Sequence, residues 1–244
     1  MAAYDEPRFL LAGDRCLVVE FGDDIDEAVN ARVRTLAALL SAAAHPAIVE
    51  AVPTYRSLMV HLDPRRGAVR DLEGAIRALD AKRSHVVLPP ASVVSIPCTY
   101  GGEFGPDLPD VAAYGGVTEQ EVVAIHSEGE YLVHMMGFTP GFPYLGGLSP
   151  RIATPRLATP RTRVPAGSVG IAARQTGIYP TDSPGGWRII GRTPVRLFDA
   201  TRDPPVWCDA GDYVRFVPID PVEYDRIRRR VEAGSFVPDI RRRM

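Results

Sequence analysis

The proline pair Pro89-Pro90 constrains this chain more than any other short stretch of its sequence. Proline fixes its own φ and lacks a backbone N–H, so neither a helix interior nor a central strand accommodates two in a row. The pair therefore indicates a linker, with one domain at residues 1–88 and a second at 89–244. A chain of 244 residues is long enough for two such domains.

Before the proline pair, the apolar residues recur first at the spacing of strands and then at the spacing of helices. The predicted order is strand, strand, helix, strand, strand, helix, at residues 9–12, 16–21, 25–43, 48–52, 57–62 and 68–81. Asp23 or Asp24 is well placed to cap the first helix. This order predicts a compact α+β domain whose helices pack on an antiparallel sheet.

After the proline pair, a strand is predicted at 92–100 and a helix from Thr118 to about His126, opened by a capping box with Glu121. Beyond Glu130, short apolar runs are broken by glycine and proline, a pattern typical of a β-barrel or sandwich. A last strand at 213–217 leads into a terminal helix with proline in its first turn.

The composition argues against several classes of protein. A net charge of -2 does not suit bulk binding of nucleic acid. No secretory signal is visible, and no apolar run approaches the roughly 18 residues that cross a bilayer. Cys16, Cys98 and Cys208 are far apart and form neither a zinc motif nor a disulfide framework. These features predict a cytoplasmic protein with reduced thiols that contacts no membrane.

A loop at 137–147 interleaves aromatic side chains with glycine and proline. Glycine permits a positive φ and close approach of a ligand, whereas proline stiffens the chain. Such a loop can present backbone N–H groups to an anion or a carbonyl oxygen. The alternative is an inert loop with aromatic plugs. The candidate ligand-binding residues here are Gly137, Phe138, Pro140, Gly141 and Tyr144.

Three arginines follow among closely spaced prolines, in Pro155-Arg156, Pro160-Arg161 and Arg163-Val164-Pro165. Converging guanidiniums on stiff chain suit a carboxylate or a phosphoryl group. Surface ion pairs are the competing interpretation. We take Arg161, Arg163 and the later Arg192 as candidate ligand-binding residues.

Further candidates lie on the strands and turns that follow. Ser168 is not in a nucleophile elbow, because Gly167-Ser168-Val169-Gly170 has the wrong spacing, so we predict binding rather than catalysis for it. For Gln175, Tyr179 and Arg192, the alternative to ligand binding is ordinary hydrogen bonding at a strand edge or on the surface. The remaining candidates are Gln175, Tyr179, Gly185, Gly186 and Trp187.

His126, near the end of a predicted helix, is the candidate catalytic residue. Histidine titrates near neutral pH and can act as a general acid or base. A packing histidine is the alternative. Glu103 and Asp107 could form an acid/base pair or contact a partner, although Asp107 could instead cap the following helix.

Several long, irregular motifs cover nearly the whole chain in a familiar order. They include 52–58, 100–103, 105–108, 137–142, 144–147, 163–169, 175–180, 183–187 and 191–194. On these motifs the chain resembles the allophanate hydrolase subunit 1 family, which includes the B subunit of prokaryotic 5-oxoprolinase and Kip-type inhibitors of a sporulation kinase. Ala173-Arg174 departs from the glycine of many relatives.

The resemblance implies a small N-terminal α+β domain followed by a cyclophilin-like β-barrel. It also implies a homologous partner, the C subunit, similar to allophanate hydrolase subunit 2. Together with a further A subunit, the two would open 5-oxo-L-proline to L-glutamate. ATP would be used by the complex, at a site not within this chain alone, since no GxxxxGK[ST] loop is present.

Two other functions remain open under the same resemblance. One is a regulatory inhibitor of a histidine kinase. The other is half of a biotin-dependent carboxyltransferase that acts on urea or a similar acceptor. The sole lysine, Lys82, is not in a biotinylation motif, and we expect no metal or biotin site in this chain.

Overall fold

A computed structural model describes residues 3–86 and 88–243 of the chain. It divides after Pro90 into two compact units. Within the described residues, no helix is both long and apolar enough to span a bilayer.

The first unit contains a four-stranded antiparallel sheet in the order β1-β2-β4-β3 and two helices. The elements are β1 (Ala3–Leu11), β2 (Cys16–Gly22), α1 (Glu27–Ala43), β3 (Ile48–Pro53), β4 (Ser57–Leu62) and α2 (Val69–Asp80), followed by a short 3-10 helix (Arg83–His85). The α+β prediction is therefore confirmed, including the order of the elements.

Alternation along the strands explains how this unit packs. In β2 and β4, every second side chain is buried with residues of α1 and α2, as alternating apolar residues require. Asp23 and Asp24 do not cap α1, so that prediction was wrong. Asp26 does, because its carboxylate lies within reach of the Val29 N–H, which donates to it at 2.9 Å.

The second unit is built on a longer series of strands. Its elements are β5 (Ser92–Tyr100), α3 (Leu108–Gly115), α4 (Glu119–Glu128), β6 (Glu130–Met136), β7 (Pro143–Gly146), a short 3-10 helix (Pro150–Ile152), β8 (Arg161–Val164), β9 (Ser168–Ala172), β10 (Gln175–Ile178), β11 (Ser183–Gly185), β12 (Arg188–Arg192), β13 (Tyr213–Pro218), α5 (Pro221–Glu232) and β14 (Asp239–Arg242).

Seven of these strands close into a barrel. They follow the order β12-β9-β10-β7-β6-β13-β5, and β5 then pairs with β12, which completes the circle. β14 adds to the other end of β5, and β8 and β11 form a separate two-stranded ribbon. The predicted closed barrel is confirmed, and one continuous apolar cluster joins side chains of its strands to those of the helices beside it.

The helix signals in this unit also behave as predicted. Thr118 and Glu121 form a reciprocal capping box at the start of α4. Pro221 stands in the first turn of α5, where Asp220 accepts a hydrogen bond from the Glu223 N–H. A proline at this position loses nothing, because the first N–H groups of a helix have no intrahelical partner.

Candidate binding site on the outside of the barrel

Two glycines open a bare patch on the outer face of the barrel. Gly170 of β9 and Gly177 of β10 are direct cross-strand neighbours. A Cβ at Gly170 would lie 3.1 Å from the Trp187 Cβ, and one at Gly177 would lie 3.0 Å from the Trp187 ring. Glycine is needed here because the indole packs directly against the sheet.

An aromatic cluster fills this patch. The Phe142 ring meets Tyr179 at a centroid distance of 5.2 Å and Trp187 at 5.5 Å, with interplanar angles of 90° and 85°. Tyr144 packs beside Phe142 at 4.8 Å. Such edge-to-face contacts are a preferred geometry for aromatic pairs, so the cluster has well-defined walls.

A cavity of about 290 Å³ opens within this cluster. This volume is at the small end of the ~300–1,000 Å³ range of ligand pockets. It is lined by Phe138, Phe142, Tyr144, Arg156, Leu157, Pro160, Tyr179, Pro184, Gly185, Gly186 and Trp187. Arg156 is the one charged residue among them, and its guanidinium lies 6.0 Å from the centroid of the Trp187 ring.

The two tyrosines of the cavity remain neutral at physiological pH. Burial raises the pKa of both the Tyr144 and the Tyr179 hydroxyl above the ordinary value. A neutral phenol can donate a hydrogen bond as well as accept one. The walls therefore offer flat apolar surfaces, two hydroxyls and one positive charge.

Phe138 forms the lip of the cavity. Its side chain is 62% exposed and its backbone has φ of 66°, a left-handed conformation that is rare for a bulky residue. The loop around it is tied by a hydrogen bond from the Gly137 N–H to the Phe142 carbonyl at 3.1 Å. At Gly141, with φ of 80°, a Cβ would lie 2.6 Å from the Phe198 Cβ, so this position requires glycine.

The structure brings some of the predicted binding residues together. Six of them line the cavity, namely Phe138, Tyr144, Tyr179, Gly185, Gly186 and Trp187. Gly137, Pro140 and Gly141 belong to the loop that carries Phe138 and do not line it. The other predicted side chains, Arg161, Arg163, Ser168, Gln175 and Arg192, lie outside the lining.

Arg161 and Arg163 each have a carboxylate partner. Arg161 Nη2 donates to Asp107 Oδ1 at 2.7 Å, and Arg163 pairs with Asp182 at 2.7 Å. The buried Asp107 also accepts from the Ile189 N–H at 2.6 Å. Asp107 stands at the N-cap position of α3, but its side chain makes no capping hydrogen bond. Its carboxylate instead joins Arg161 to strand β12.

Ser168 and Arg192 lie in one row with Thr99 across β9, β12 and β5. Ser168 is fully buried, and its hydroxyl has no hydrogen-bond partner among the described residues. The Arg192 guanidinium lies 5.9 Å from the centroid of the Phe104 ring. Gln175 is half-buried at the start of β10.

His126 lies inside the barrel, where it is fully buried. The Tyr100 hydroxyl is 2.8 Å from Nδ1, and the Thr176 hydroxyl is 2.9 Å from Nε2. Thr176 donates to the Gly170 carbonyl, so it accepts from Nε2–H, and Tyr100 therefore donates to Nδ1. Burial lowers the pKa of His126 to about 3. This placement favours the packing alternative for His126.

Sequence reasoning missed five residues of the cavity lining, namely Phe142, Arg156, Leu157, Pro160 and Pro184. Arg156 follows a proline as Arg161 does, so the sequence pattern does not separate them. What separates them is the partner, since the Asp107 that pairs with Arg161 comes from a distant loop. No group of three or more potential metal ligands occurs among residues 3–86 and 88–243.

Comparison with known proteins places this chain in a family. The family model for the carboxyltransferase domain, subdomain C and D, matches residues 7–208. The 5-oxoprolinase B subunit of Bacillus subtilis is 43% identical over 226 residues, which cover 87% of this chain and 92% of that protein.

Solved structures share the fold. The structure of TTHA0988 is 39% identical with a TM-score of 0.74, over 84% of this chain and 40% of that one. The urea amidolyase of K. lactis superposes with a TM-score of 0.80 at 21% identity, over 100% of this chain and 17% of that one. The chain thus spans about two fifths of the TTHA0988 chain. The chain belongs to the carboxyltransferase domain family, subdomain C and D.

Proposed function

We propose that this chain is the B subunit of a 5-oxoprolinase complex, a hydrolase that opens the ring amide of 5-oxo-L-proline to L-glutamate with hydrolysis of ATP. The observation that carries this proposal is the 43% identity to a 5-oxoprolinase B subunit over nearly the full length of both proteins. Both the N-terminal domain, residues 1–88, and the barrel domain, residues 89–244, belong to the proposed subunit.

The cavity supports a small substrate of this kind. Its aromatic walls suit a flat lactam ring, its two hydroxyls can bond the ring amide, and its one charge is positive. Arg161 and Arg163 support the site by stiffening the ribbon of β8 and β11, which carries Gly185 into the cavity wall.

The remaining parts of the reaction belong to partners in this proposal. The A and C subunits, the latter homologous to this chain, complete the complex in the cytoplasm, and the ATP site lies outside this chain alone. The matches to TTHA0988 and to urea amidolyase cover 40% and 17% of those longer chains. The occurrence of this unit inside longer proteins supports the proposal that it functions together with other domains or subunits.

The test is ATP-dependent formation of glutamate from 5-oxo-L-proline by this protein, alone and with the co-expressed candidate A and C subunits. We expect activity in the assembled mixture and none from this chain by itself. Associated, soluble partners that release no glutamate would refute the proposal. Replacing Arg161 and Arg192 together tests the prediction that these arginines bind a carboxylate or phosphoryl group. Undiminished activity of the double variant would rule that role out.

Carboxyl transfer is the second candidate, and the description of the matching family favours it. It requires a biotin-bearing partner, because we expect no biotin site in this chain. Transfer of carboxylate from carboxybiotin to urea, assayed with such a partner, distinguishes it from lactam opening.

A further inference from the structure

The arginines near the cavity differ in whether they are already neutralised. Arg161 pairs with Asp107 at 2.7 Å, and Arg188 pairs with Asp110 at 2.8 Å. Arg156 lines the cavity and has no carboxylate partner in the described part of the chain. An unpaired guanidinium at the edge of an apolar site retains its full capacity to bind an anion.

None of the described residues that line the cavity is acidic. An anion that enters therefore meets one positive charge and no opposing negative one. Arg156 is exposed at the rim of the cavity. A carboxylate that lies between it and the aromatic walls is partly removed from water, which strengthens the charge-assisted hydrogen bond. The Arg156 guanidinium lies 6.0 Å from the centroid of the Trp187 ring, at the outer limit of a cation–π contact, which places it at the cavity edge.

The backbone of the lip residue, Phe138, is left-handed. This conformation carries a steric cost for a residue with a Cβ. Phe138 adopts it while 62% exposed, so burial of its own ring does not repay this cost. Strain of this kind persists where the surroundings fix it, and it accumulates at ligand sites. The ring of Phe138 stands against Phe142 at 5.7 Å, edge to face, at the entrance.

We propose that Arg156 binds the carboxylate of a small cyclic amide whose ring lies between Phe138 and Trp187. Arg156, rather than Arg161, Arg163 or Arg192, is then the residue that selects substrates bearing a carboxylate. This inference rests on the proposed function, since it specifies the site at which 5-oxo-L-proline binds. The Tyr144 and Tyr179 side chains line the same cavity, and their hydroxyls can hydrogen-bond the ring amide.

The experiment compares two ligands and two variants of the full chain. The ligands are 5-oxo-L-proline and 2-pyrrolidinone, which has the same ring without the carboxylate. The variants are Arg156→Gln and Arg229→Gln, the second an exposed arginine of α5 away from the cavity. Calorimetric titration gives the affinities. Trp187 fluorescence, in a Trp207→Phe background with an unchanged thermal transition, locates the binding.

We expect Arg156→Gln to weaken binding of 5-oxo-L-proline about tenfold or more, since a charge-assisted hydrogen bond is worth about 1.5–3 kcal/mol. Arg229→Gln should leave it unchanged. Binding of 2-pyrrolidinone should be weak and insensitive to Arg156→Gln. Equal affinities for the two ligands, or equal affinities of the two variants for 5-oxo-L-proline, would overturn the inference.

The same variants in the assembled complex separate this inference from the proposed function. There, Arg156→Gln should raise KM about tenfold and change kcat by less than about twofold, as loss of a binding contact does. An active complex that Arg156→Gln leaves unaffected would overturn the inference alone. An inactive complex, with Arg156-dependent binding of the carboxylate, would overturn the proposed function alone. No response of Trp187 to 5-oxo-L-proline in either preparation would overturn the inference.

Discussion

The barrel carries one polar aromatic cluster inside its wall and another outside it. The inner cluster joins His126 to Tyr100 and Thr176 and packs the imidazole on Phe216 at a centroid distance of 4.4 Å. The outer cluster surrounds a cavity of about 290 Å³, and it carries the unpaired Arg156. Both contain the residue types that catalytic sites use.

The difference between them lies in what remains available. Both ring nitrogens of His126 already have partners, and water is excluded. The outer cluster has open space, an exposed lip and a free charge. A closed and satisfied cluster stabilises the fold, whereas an open cluster with unused bonding capacity can bind a ligand. The predictions below test this division between support and binding.

The largest effect is expected for His126→Ala. It removes a fully buried ring and two hydrogen bonds, so the Tyr100 hydroxyl loses its acceptor and Thr176 keeps only its bond to the Gly170 carbonyl. We expect a loss of about 4 kcal/mol in the free energy of unfolding, measured with urea. Tyr114→Ala, at a side chain that is 63% exposed, is the control. A stable variant that has lost activity would show that His126 is catalytic.

Asp107→Ala should cost about 3 kcal/mol. The change leaves Arg161 without its counter-ion and the buried Ile189 N–H without an acceptor. Asp110→Ala breaks the pair with Arg188, but Asp110 is largely exposed, so its cost should stay below about 1 kcal/mol. Comparable losses of unfolding free energy in the two variants would mean that Asp107 does not hold the ribbon of β8 and β11 against the barrel.

The inner cluster also predicts a pH dependence of stability. The unfolded state binds a proton at His126 below pH 6.5, whereas the folded state does so below a pKa of about 3. Stability therefore falls as pH falls from 6.5 towards 3, by about 1.4 kcal/mol per unit once well below 6.5. His126→Gln should remove this slope. Between neutral pH and pH 5, the wild type should lose about 2 kcal/mol of its free energy of unfolding that the variant does not lose. Parallel curves would contradict the burial of a neutral imidazole.

Gly185→Ala addresses the outer cluster with a smaller cost in stability. An added Cβ would lie 2.3 Å from the Tyr179 hydroxyl oxygen, so the phenol, which lines the cavity, must shift. We expect a loss of about 1–2 kcal/mol and weaker binding of 5-oxo-L-proline. Gly74→Ala, with open space around it in α2, is the control and should not change binding. Unchanged binding of 5-oxo-L-proline by Gly185→Ala would show that this cavity is not the binding site.

The strands, helices and caps followed from local sequence because local forces determine them. The capping box at Thr118 and the alternation in β4 are examples. Asp26 was missed as a cap because three neighbouring aspartates compete for that role, and their reach to a free N–H depends on the exact first turn. Closure of the barrel depends on β5 meeting β12 across more than 85 residues, which local patterns do not specify.

The candidate site was partly predictable for the same reason. Aromatic and glycine residues such as Trp187 and Gly185 stand out in the sequence and line the cavity. The arginines could not be ranked, because whether each is free depends on carboxylates that the fold brings from elsewhere, as Asp107 comes to Arg161. Ala173 has φ of 51°, a left-handed conformation that glycine adopts without strain, which agrees with the glycine that the resemblance led us to expect there.

The most direct test of the outer cluster as the working site is the kcat/KM of the assembled complex carrying Phe138→Ala, with its thermal stability measured in parallel. Phe138 is 62% exposed, so its removal should change stability by less than about 0.5 kcal/mol. We predict that kcat/KM for 5-oxo-L-proline falls about tenfold, because the lactam ring of the substrate loses one aromatic wall of its site. The control variant Tyr114→Ala should leave kcat/KM unchanged. An unaltered kcat/KM in Phe138→Ala would contradict the account.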